Sequence, residues 1–145
     1  MKLKIEQSPE IKDEEIIIRC STVSDRLKSL IEEIRLYTFS VAGTKDGRSY
    51  CVGLEDIFYI ESVDERIFIY RQNDVLECRL KLYELEEKLS GTNFLRISKS
   101  CILNLNHLES VSPQFDGRLE ALLENGEKVI INRHYVKAFK EKFGI

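Results

Sequence analysis

Apolar residues recur along this chain at two spacings, and the change between them divides it. Residues 2–7 set Leu3 and Ile5 between polar neighbours, a period-two pattern that predicts a short strand ended by Pro9. Residues 14–20, with Ile16, Ile17 and Ile18 in a row, predict a second strand. Val23, Leu27, Leu30, Ile31 and Ile34 then fall at helical spacing. Thr22 as N-cap, with Asp25 three residues on, supplies a capping box at the start of that helix. This strand–strand–helix (β-β-α) unit, residues 1–37, is too short for a core of its own. Its apolar face must cover either the rest of the chain or a second copy, which makes it a candidate dimerisation or regulatory unit.

From residue 38 onward the period is two. Residues 38–42 and 49–52 flank the turn Lys45-Asp46-Gly47, a hairpin pattern. Residues 57–61 and 67–71 are β-rich about 62–66, and Gln72-Asn73-Asp74 turns the chain into 75–78. Leu82, Leu85 and Leu89 predict a short helix closed by Gly91. Strands follow at 108–112, at 118–123 beyond the turn Asp116-Gly117, and at 129–132 beyond Asn125-Gly126. Val136, Phe139, Lys140 and Phe143 return to helical spacing before Gly144. Short strands separated by turns, without the long helices that parallel crossovers need, predict a mainly β, mostly antiparallel α+β domain over residues 38–145.

The stretch 94–108 stands apart. Apolar residues at 94, 95, 97, 102, 103, 105 and 108 can bury one side, while Arg96, Ser98, Lys99, Ser100 and Asn104 form a polar cluster. No Asp or Glu interrupts it, in a chain of net charge −3. Arg and Lys neutralise phosphates, and Ser, Asn and Arg donate to phosphate oxygens or base edges. The competing reading is a polar face that is merely solvated. Charge divides unevenly: residues 94–145 carry eight basic and six acidic side chains, and both earlier portions are net negative. A polyanion contact therefore belongs to the C-terminal third.

Composition narrows the class. With 43% hydrophobic and 32% charged residues the chain reads as soluble and globular. No apolar run approaches a membrane span and no leader opens the sequence, so a cytoplasmic site of action is expected. Cys20, Cys51, Cys78 and Cys101 are widely spaced among apolar neighbours, a pattern of buried reduced thiols and not of ligands or disulfides. With only His107 and His134 beside them, a metal site is not expected. There is no phosphate-cradling glycine loop, no H-E-x-x-H and no G-x-S-x-G, so neither an enzyme nor a cofactor is expected.

Residues 38–143 resemble the LytTR DNA-binding domain of bacterial transcription regulators. The resemblance rests on Leu54-Glu55-Asp56-Ile57-Phe58-Tyr59-Ile60-Glu61-Ser62, Leu82-Tyr83-Glu84-Leu85-Glu86, the run from Phe94 to Asn104, Asn125-Gly126, and Asn132-Arg133-His134-Tyr135-Val136-Lys137. It is similar to the short members that carry an N-terminal extension in place of a receiver domain. What the resemblance implies is an elongated fold of short antiparallel sheets whose loops enter successive major grooves. Carried over, the base-reading side chains are Arg66, with Glu65 as a one-residue slip, then Lys99, then His134, with Arg133 as a second candidate. The implied phosphate-side residues are Arg96, Ser98, Ser100, Asn132, Tyr135 and Lys137. Implied partners are double-stranded DNA, a second copy on a repeat operator, and a small membrane-protein antagonist.

One feature departs from the family pattern: Asn132 stands where many members have Ser before the Arg of the last motif. Asp64 and Glu65 beside Arg66 would repel phosphates at the first contact. A different class of function also remains open: a protein-interaction module that docks through Leu27, Ile31 and Ile34 of the N-terminal helix.

Overall fold

The computed structural model describes residues 1–145, apart from the side chain of Leu36. Ten strands and three helices follow one another as α1 (Asp25–Thr38), β1 (Ser40–Lys45), β2 (Arg48–Gly53), β3 (Tyr59–Val63), β4 (Arg66–Tyr70), β5 (Val75–Cys78), α2 (Leu82–Lys88), β6 (Phe94–Ser98), β7 (Cys101–Asn104), β8 (Leu108–Pro113), β9 (Leu119–Leu123), β10 (Lys128–Ile131) and α3 (Val136–Phe143). One sheet has seven strands in the order β2-β1-β5-β4-β3-β7-β6, and a second has three in the order β10-β9-β8. Every pairing is antiparallel. The mainly β architecture expected from the period-two pattern is the one observed.

Alternation along the strands gives the large sheet two apolar faces, and each seals a core. On one face Ile60, Ile67, Ile69, Leu76 and Ile102 meet Leu82, Leu85 and Leu89 of the α2 segment. On the other, Tyr59, Ile97 and Leu103 meet Leu119, Ala121 and Leu123 of β9, Ile131 of β10 and Phe139 of α3. The four residues of β7 are all buried. Asn104 closes that strand at 1% exposure, and its Nδ2 donates to the carbonyls of Leu54 (3.3 Å) and Ile57 (2.8 Å). Its Oδ1 accepts from the Asn106 N–H at 3.0 Å. Asn104 is thus a buried strut and not part of a solvated polar face. Asn104→Ala should cost about 2 kcal/mol in a denaturant titration, because three backbone groups lose their partner. A change too small to resolve would show that water replaces the amide.

The N-terminal unit departs from expectation. Neither 2–7 nor 14–20 forms a strand; residues 1–24 run without ladder partners. Period-two alternation requires a neighbouring strand to become a sheet, and none is offered here within the chain. Leu3 is 90% exposed and Ile5 80%. The helix begins later than the capping box predicts: Ser24, not Thr22, is the N-cap, and its side chain accepts from the Leu27 N–H at 3.2 Å. Leu27 is buried, and Ile31 and Ile34 are half-buried. The cysteines also split: Cys78 and Cys101 are buried, Cys20 and Cys51 exposed, and all four are free. Burial pushes the Cys101 thiol up to about 12, which keeps it protonated and inert.

Candidate nucleic-acid interface

Three connections gather at one end of the large sheet. β3 and β4 join through the two-residue turn Asp64-Glu65, since Val63 pairs with Arg66. β6 and β7 join through Lys99-Ser100, since Ser98 pairs with Cys101. β3 runs beside β7, and the Ser62 N–H donates to the Ser100 carbonyl at 2.7 Å, so these two turns are neighbours. The third is a 3-10 turn, Arg133–Tyr135. It is tied to the same edge by the Asn132 N–H, which donates to the Ile97 carbonyl at 2.8 Å.

Lys99, Asn132, Arg133 and His134 line one open concavity of about 640 Å³, together with Asp116 and Arg118. Lys99, Arg133 and His134 are exposed. None of Lys99, Arg133 or Lys137 has an ion-pair partner among the described residues. Asn132 shapes its turn from within, its Oδ1 accepting from the His134 N–H at 3.3 Å. Tyr135 is half-buried against the second core. Lys137 is exposed on the first turn of α3.

Arg96 has a different job. Its Nε donates to the Ser98 carbonyl at 2.8 Å, its Nη2 to the Lys99 carbonyl, and its Nη1 contacts Glu86 Oε2 at 2.6 Å. The guanidinium braces the turn that carries Lys99, at a register shift between Arg96 and Ser98. These three donors are all engaged by protein acceptors. Ser98 Oγ accepts from the Ser100 N–H at 3.2 Å and completes that turn.

Arg66 is the first residue of β4 and not part of the turn. Its guanidinium forms a bidentate pair with Glu77 of β5, Nε to Oε1 at 2.9 Å and Nη2 to Oε2 at 2.8 Å, and lies over the Phe68 ring. The pair holds Glu77 below the usual carboxylate range and raises Arg66. The turn before it is strained. Asp64 (φ 51°) and Glu65 (φ 63°) both occupy the left-handed region that a two-residue hairpin demands and that glycine or asparagine fills more readily. The structure therefore brings Lys99, Arg133 and His134 into one concavity and leaves Arg66 nearby, its head turned toward Glu77.

Sequence reasoning passed over Arg118, because Asp116 beside it cancels its charge in any local count. His107 lies away from this edge. Its ring stacks on Phe58 with centroids 4.1 Å apart, and its nitrogens contact Glu124 Oε2 (3.1 Å) and the Glu55 carbonyl (2.5 Å).

Strands separate the three helices, so the described residues contain no helix–turn–helix. No helix among the described residues is long and apolar enough to cross a membrane. The same fold occurs in a solved LytTr DNA-binding domain from Bacillus cereus. The TM-score is 0.70 at 22% identity, over 74% of this chain and 98% of that one. Residues 47–144 match the LytTr DNA-binding domain, and the chain belongs to that family. The sensory transduction protein LytT of Enterococcus faecalis is 35% identical over 100 residues, which are 69% of this chain and 41% of that protein. The chain thus spans about two-fifths of the length of that relative. An HTH-type transcriptional regulator of Staphylococcus aureus is 24% identical over 147 aligned residues, covering 100% of this chain and 99% of that protein.

Proposed function

We propose that this protein is a sequence-specific transcription regulator whose loop side chains enter successive major grooves of duplex DNA in the cytoplasm, two copies sharing a repeat operator. The observation that carries the reading is the convergence of Lys99, Arg133 and His134 on one concavity at the sheet edge. Lys and Arg donate to guanine O6 and N7, and an exposed His N–H can do the same. Lys137 and Ser100 are assigned the flanking phosphates, while Asn132, Arg96 and Ser98 hold the loops in shape. Arg66 joins the set when a phosphate or base displaces it from Glu77, an exposed pair of the kind that water already weakens.

The second copy and a small membrane-protein antagonist are the proposed protein partners, with residues 1–37 as their docking unit. A reading as a protein-interaction module has one observation in its favour: the apolar side chains of residues 1–18 stand in solvent. Selection of bound duplexes from a random pool at fixed salt tests the proposal. A repeated motif should be enriched, with two copies of the full chain per operator in sedimentation. Binding with no consensus would sink the sequence-specific reading, and one copy per two-repeat operator would sink the pairing.

A further inference from the structure

The hairpin joining β8 to β9 carries two of the six residues that line the concavity, Asp116 and Arg118. Its backbone is fixed independently of that side chain: the Gln114 N–H donates to the Arg118 carbonyl at 2.9 Å, and Asp116 Oδ1 accepts from the Arg118 N–H at 3.3 Å. Gly117 has φ +84°, and a Cβ there would meet Arg133 Cδ at 3.1 Å. The hairpin tip is thus pressed against the stem of Arg133, one of the exposed cations of the site. Arg118 Nε lies 2.6 Å from Asp116 Oδ2, both side chains being about half exposed. Asp116 is the only carboxylate among the residues that line the concavity.

From this juxtaposition we infer that the β8–β9 hairpin is a fourth DNA-contacting loop, in which Arg118 takes a backbone phosphodiester and Asp116 competes with that phosphate for the guanidinium. The inference rests on the DNA-binding reading above and adds a residue to it. A phosphate seated among Lys99, Arg118 and Arg133 meets three cations, two of them without an ion-pair partner among the described residues. A phosphodiester can accept from a guanidinium as the Asp116 carboxylate does now through Oδ2, so the two anions compete for the same Arg118 head. Asp116 then serves the free protein by keeping one cation of the site occupied, which lowers affinity for arbitrary polyanions. The nearby charges have opposite effects on bound phosphate: Lys99 and Arg133 favour it, and Asp116 opposes it.

The test is binding of the full-length chain to its selected operator and to a scrambled duplex over a series of salt concentrations. Arg118→Ala should lower the slope of log K against log salt by about 0.9 and weaken both duplexes by about fivefold at 0.15 M. Arg118→Lys should restore the slope. Asp116→Asn keeps the acceptor for the Arg118 N–H and should strengthen both complexes by roughly two- to fivefold, the scale of an exposed ion pair. An unchanged slope for Arg118→Ala overturns the inference. So does a loss confined to the operator, which would make Arg118 a base contact, and so does weaker binding by Asp116→Asn. If the unsubstituted chain binds neither duplex, the DNA-binding reading falls and this inference with it. If it binds normally and Arg118→Ala matches it, only the inference falls.

Discussion

Lys99→Ala is expected to reduce the ratio of operator binding to non-specific binding by about tenfold, within the roughly 1–3 kcal/mol that one good base contact contributes. Lys99 occupies the tip of the β6–β7 turn, exposed and without an ion-pair partner among the described residues. Removing it leaves the turn intact, because the brace comes from Arg96 donating to the carbonyls of Ser98 and Lys99. Backbone carbonyls survive any substitution. The measurement is a pair of titrations, operator and scrambled duplex, at equal salt. Equal losses on the two would make Lys99 a phosphate contact and remove it from the reading set.

Phe139→Ala should destabilise the chain by about 3–5 kcal/mol, the usual cost of emptying a buried aromatic site. Phe139 is fully buried among Ile97, Leu119, Ala121, Leu123 and Ile131, and its ring stacks on Phe143 with centroids 5.1 Å apart. The loss is a large share of the roughly 5–15 kcal/mol that holds a domain of this size together. It also falls beside the proposed interface, since α3 continues directly from the turn that carries Arg133 and His134. Denaturant midpoints for the two proteins give the number. A shift below about 1 kcal/mol would mean that neighbouring side chains close the gap.

The β framework was legible because its signals are local. Alternation, Asn125-Gly126 and Lys45-Asp46-Gly47 each act within a few residues, and β9 shows the expected alternation of buried and half-buried positions. The rest depended on partners that a linear reading cannot pair. Residues 2–7 and 14–20 carry a strand pattern, but a strand exists only beside another. Arg96 and Asn104 looked like one polar face, yet Arg96 answers to Glu86 ten residues earlier and Asn104 to Leu54 and Ile57 some fifty residues earlier. Arg66 and Glu77 are brought together by the β4–β5 ladder. Arg118 was hidden by the acid two residues before it. Lys99 and Arg133 look alike in the sequence and in space, because both stand in turns without an ion-pair partner among the described residues.

The central strands of the large sheet are packed on both faces, β7 along its whole length. Amide hydrogens of Ile102 and Leu103 should therefore be among the last to exchange with solvent, and the Lys99-Ser100 turn grows directly out of that slow-exchanging region. On the DNA-binding reading proposed above, a contact surface rooted this way would meet a duplex already in shape. Little conformational entropy would then be lost on association, and bending strain would fall on the DNA.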